Sequence, residues 1–93
     1  MDIYVVSWRQ CIDGEFDSGV FKTCYENIES AREAMRNDFD AKSREWKDKS
    51  RGTEEADHIV LHTKNDDFRS VTIECGTFDY IDWNVEKLTV CRA

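Results

Sequence analysis

Apolar and polar positions alternate at the start of the chain, with Ile3, Val5 and Ser7 on one side of an extended backbone and Tyr4, Val6 and Trp8 on the other. Apolar groups on both sides predict an interior strand over residues 2–8 rather than an edge strand. Asp13-Gly14, set between Cys11-Ile12 and Glu15-Phe16, predicts a two-residue type I′ turn, because both central positions of that turn take positive φ. The second strand then returns through Gly19, Val20 and Phe21.

The period changes after Phe21. Thr23 followed by Glu26 fits a capping box and places a helix start there, since each side chain can satisfy a backbone NH that the first helical turn leaves open. Ile28, Ala31, Met35, Phe39 and Trp46 form one apolar stripe over about five turns. Lys42 interrupts the stripe, but its methylene stem can lie along apolar surface. Asp38 with Lys42, Asp40 with Arg44 and Glu45 with Lys49 are expected i,i+4 pairs. Gly52 ends the helix. Thr53-Glu54-Glu55 opens a short second helical stretch, although Ile59-Val60-Leu61 is equally a β-rich run, so residues 53–63 stay open between helix and strand.

Lys64 to Asp67 form a turn, and Val71, Ile73 and Cys75 alternate with Thr72 and Glu74 as a third strand. A turn at Gly76-Thr77 leads to a last strand from Phe78 towards Val90. Ile81, Trp83 and Val85 fall on one parity there and Leu88 and Val90 on the other, so a bulge near Glu86-Lys87 is expected to turn both sets inward. The prediction is an α+β fold in a single domain over 1–93. Its four-stranded antiparallel sheet carries one long amphipathic helix on one face, with elements in the order β-β-α-(α or β)-β-β.

Charge narrows the classes of partner. Twenty Asp and Glu against 13 Lys and Arg give a net charge of −7, which opposes direct binding to nucleic acid or to an anionic membrane and favours a basic protein surface. The basic residues Lys42, Arg44, Lys47, Lys49 and Arg51 gather at the helix C-terminus, where the helix dipole prefers them. The first residues contain no basic stretch, and the apolar run breaks at Ser7 and Arg9, so neither an export signal nor a membrane span is expected and a cytoplasmic location is. Cys11, Cys24, Cys75 and Cys91 are expected as reduced thiols.

No motif for chemistry emerges, so the expectation is of no enzyme, no cofactor and no metal. His58 and His62 have the i,i+4 spacing of a helical chelate, but Ile59 stands where the H-E-x-x-H pattern requires Glu, and no third ligand is near in sequence. No spacing pairs a cysteine with either histidine, and the four glycines are scattered rather than gathered in a phosphate loop.

The last strand is more informative. If Ile81 and Trp83 face the helix, Tyr80, Asp82 and Asn84 face away together with Thr72 and Glu74, on a side that one helix leaves open. The candidate partner-binding residues are Asp13, Glu15 and Asp17 of the first hairpin with Asp66, Asp67, Glu74, Asp79, Tyr80 and Asp82. They would engage a basic or nucleic-acid-binding protein, or a second copy through the open face. The alternative is a binder of a nucleotide-like ligand that stacks it on Tyr80, Trp8 or Trp83 and holds its charge with Lys47, Lys49 and Arg51.

The layout of Ile3 to Val6, Gly19 to Thr23, Glu26 to Met35 with Ala31 and Ala34, and Trp83 to Leu88 resembles that of small proteins carried by bacteriophages and mobile elements. The likeness lies in layout and composition over most of the chain. Compact acidic inhibitors of host defence systems, including anti-CRISPR proteins, are a known group among them. The resemblance implies that class and supplies no site residues.

Overall fold

The alternation at the start of the chain builds β1 (Asp2–Ile12), and the two-residue turn returns it as β2 (Glu15–Val20). Asp13 and Gly14 take φ of 53° and 79°, as a type I′ turn requires. The remaining elements are α1 (Ile28–Ser50), a 3₁₀ turn (Glu54–His58), β3 (Ile59–Asn65), β4 (Phe68–Cys75) and β5 (Thr77–Thr89). This computed structural model describes residues 1–75 and 77–89. The expected turn residue Gly76, the inward position Val90 and Cys91 lie outside them.

All pairings in the sheet are antiparallel, in the order β2-β1-β5-β4-β3. The sheet therefore has five strands rather than the expected four. The additional strand is β3, and residues 53–63 hold both open alternatives in succession, a 3₁₀ turn and then a strand. Pairing decides this: Ile59 lies opposite Ile73 and Leu61 opposite Val71, so the ladder places the short apolar run beside the core face of β4.

One face of the sheet carries α1. Val6, Val71, Ile81 and Trp83 from the strands meet Ala31, Met35 and Phe39 from the helix in the buried core. Trp83, 1% exposed, stands edge-on to Phe39 with ring centroids 5.7 Å apart. Its indole Nε1 donates to Asp38 Oδ2 at 2.7 Å, so Asp38 serves the core rather than the expected pair with Lys42. Lys42 reaches Glu45 at 3.8 Å, and the expected Glu45–Lys49 pair forms at 2.9 Å. Arg44 Nε donates to the backbone carbonyl of Asp40 rather than to its carboxylate.

The helix starts later than its sequence suggests. Asn27 is the N-cap, its Oδ1 accepting from the NH groups of Glu29 and Ser30. Thr23 is too early because Tyr25 is held extended by two backbone hydrogen bonds with Tyr4, and an extended residue cannot occupy a helical turn. At the other end, Gly52 turns the chain at φ 78° just beyond the cap Arg51.

The expected bulge near Glu86-Lys87 is absent. β1 and β5 keep one register from Cys11 opposite Tyr80 to Asp2 opposite Thr89. Leu88 thus stays on the face away from the helix and remains exposed. A strand of 13 residues in one register cannot turn both parities inward.

Candidate interaction face

Register assigns the side chains of the second face. Opposite pairs there are Val5 with Glu86, Ser7 with Asn84, Arg9 with Asp82 and Cys11 with Tyr80 from the β1–β5 ladder. Phe68, Ser70, Thr72 and Glu74 of β4 continue the same rows, being opposite Asn84, Asp82, Tyr80 and Phe78. On the other flank Phe16, Ser18 and Val20 of β2 lie opposite Cys11, Arg9 and Ser7. Tyr80, Asp82 and Asn84 share one side with Thr72 and Glu74, as expected, with Asn84 and Glu74 exposed and Tyr80, Asp82 and Thr72 half-buried. Among the described residues no helix packs on this face, since α1 and the 3₁₀ turn pack on the other.

Three zones follow along it. At the end nearest the β1–β2 turn, Phe16 and Phe78 are 78% and 64% exposed beside half-buried Tyr80. Arg9, Phe16, Asp17, Ser18 and Tyr80 line a shallow depression of about 520 Å³. The middle is polar: Arg9 Nε meets Asp82 Oδ2 at 3.1 Å, and the Ser7 hydroxyl lies 3.3 Å from Glu86 Oε1. Arg9, Phe68, Asp82, Asn84 and Glu86 line a groove of about 240 Å³ there. At the far end Leu88 is exposed opposite half-buried Ile3, beyond exposed Val20 opposite Ser7.

The expected acidic residues do not gather into one patch. Glu74, Tyr80 and Asp82 share the uncovered face, with Asp82 already paired to Arg9. Asp13 forms the turn, and its NH donates to Asp79 Oδ1. Asp79 itself points to the helix side, where it shares a cleft with Ile12 and Trp46. Glu15 and Asp17 fringe the edge strand β2. Asp66 and Asp67 sit in the β3–β4 turn at the other end of the sheet, where Asp67 binds Arg32 Nε at 2.7 Å. Hydrogen bonds from that guanidinium to Asp67 and then Glu29 hold Arg32 above its ordinary range.

Phe16, Phe78 and Phe68 are the residues the sequence reading missed. A two-residue turn at Asp13-Gly14 fixes Phe16 opposite Cys11, and Phe78 shares the parity of Tyr80, so both signals were present. His58 and His62 do not form a helical pair: His58 ends the 3₁₀ turn, and His62 lies in β3 opposite Ser70. No protein-family model, curated protein or solved structure matches the chain.

Proposed function

We propose that the chain is a non-enzymatic protein-interaction module that docks a basic protein surface on the uncovered face of its sheet. The observation that carries this is the pair Phe16 and Phe78, both largely exposed and flanking Tyr80 and the Arg9–Asp82 pair. Aromatic residues and Arg are what the cores of protein interfaces are enriched in, and exposed phenylalanines gain from losing water. Asp17 lines the depression and Glu74 lies opposite Phe78, and the net charge of −7 disfavours a second copy as the occupant. Within this reading, an inhibitor of a host nucleic-acid-binding defence protein, the class the layout resembles, would set its rim carboxylates where phosphates normally bind.

A binder of a nucleotide-like ligand has less support. Trp83 is buried, Lys49 and Arg51 are paired with Glu45 and Asp48, and the cleft beside Lys49 also carries Glu55 and Asp79.

Immobilised chain should retain a basic protein from bacterial lysate at about 0.1 M salt and release it as salt rises. The double variant Phe16→Ser/Phe78→Ser should lose that protein while keeping its fold. Retention unchanged by the double variant, or unchanged by salt, would overturn the reading. Dimerisation that the same variant abolishes would replace the basic partner with a second copy.

A further inference from the structure

We infer that Glu54, His58 and Cys75 form a binding site for a divalent transition-metal ion of the zinc type. Glu54 opens the 3₁₀ turn, His58 closes it, and Cys75 ends β4. The pairing of Ile59 with Ile73 folds the turn back over the end of β4, so Cys75 meets residues 17 and 21 positions earlier in the chain. One carboxylate oxygen, one imidazole nitrogen and the Cys75 sulfur lie within 4.8 Å of one another.

The donor set selects the metal class. Calcium and magnesium take oxygen ligands, whereas thiolate with imidazole and one carboxylate suits zinc and its neighbours. Around a tetrahedral zinc, with bonds of about 2.0–2.3 Å, ligand atoms sit roughly 3.3–3.8 Å apart. Contraction from 4.8 Å is a side-chain rotation for Glu54 and His58, while half-buried Cys75 supplies the fixed part. Among the described residues nothing competes for the ligands: Cys75 is a free thiol, and the ion pairs at this end of the molecule engage Glu45 and Asp48 rather than Glu54.

Three protein ligands leave a fourth position for water or for a donor from a bound molecule. Glu55 and Ile73, neighbours of the site in sequence, line a cleft of about 210 Å³ with Ile12, Trp46 and Lys49. Metal binding would tie the 3₁₀ turn to β4 and release the thiol proton, so affinity falls as pH falls.

Cobalt(II) titration of the reduced full chain tests this, because a thiolate ligand adds a charge-transfer band in the near ultraviolet. One equivalent should give that band, zinc should displace it, and zinc should raise the thermal midpoint. Loss of an outer-shell partner already costs about 10–100-fold in affinity, so His58→Ala and Glu54→Gln should each weaken binding by about tenfold or more. Cys75→Ser should abolish the band, while Cys24→Ser, at an exposed thiol elsewhere, should keep it. Absence of the band in the unmodified chain, or its persistence in Cys75→Ser, would overturn the assignment. Should Cys75→Ser unfold, the exposed-site variant Glu54→Gln decides by the same affinity measurement.

Discussion

Trp83 shows how one polar atom can govern a core position. Its ring is enclosed by the helix and sheet, and its NH is satisfied only because Asp38 reaches it from α1 at 2.7 Å. Removing that acceptor strands a buried donor, so Asp38→Ala should cost about 1–3 kcal/mol and Asp38→Asn distinctly less, read from urea unfolding followed by tryptophan fluorescence. Ser43 is the opposite case. Its hydroxyl is buried with no hydrogen-bond partner among the described residues, in a stripe otherwise built from Ala31, Met35 and Phe39. Ser43→Ala removes a desolvated polar group and improves helix propensity, and should raise stability by about 0.5–1 kcal/mol in the same assay. Gly19 is constrained from outside: a Cβ there would lie 2.9 Å from the Trp8 ring, so this strand glycine makes room for an indole.

The start of α1 separates two readings at the level of the element. With Asn27 as cap, Asn27→Ala should lower stability by about 1 kcal/mol, whereas Thr23→Ala should stay within about 0.5 kcal/mol, measured by denaturant midpoints. The capping box was legible in sequence but overruled by a contact 21 residues away, the Tyr4–Tyr25 bridge. Period-two alternation, in contrast, reported faces faithfully in β1 and in β5 up to Val85, because each strand turns one parity to the helix. It failed where local pattern lacked length, at Ile59 to Leu61, and where β5 runs past β4, at Leu88. The same contrast holds for the candidate face. Tyr80 and Asp82 were readable from parity within β5, while the Arg9–Asp82 pair depends on a register between strands more than 70 residues apart. The metal-type cluster depends on that kind of closure too, which is why ligand spacing gave no sign of it.

For the whole molecule, charge sets the response to acid. Hydrogen bonding to Lys87 holds the exposed Asp2 carboxyl below its ordinary value, and Lys49 does the same for Glu45. A lowered folded-state value means a contribution that is present above the unfolded value and lost as pH falls through the folded one. The thermal midpoint should therefore drop as pH falls through the carboxylate range, about 5 to 3, and added salt should flatten that slope because both groups are solvent-screened.

The order β2-β1-β5-β4-β3 places the first strand of the chain against the last at the centre of the sheet. Two hairpins flank that seam, and neither can join the other until β5 is available. A fragment of residues 1–75 should accordingly show little strand signal by circular dichroism. Refolding of the full chain should be slow for its size, on the millisecond-to-second scale, because closure of so long a loop precedes the contacts that reward it. Until the seam closes, the edge of β1 that β5 fills is an open pairing edge, and the net charge of −7 opposes its pairing with a second copy.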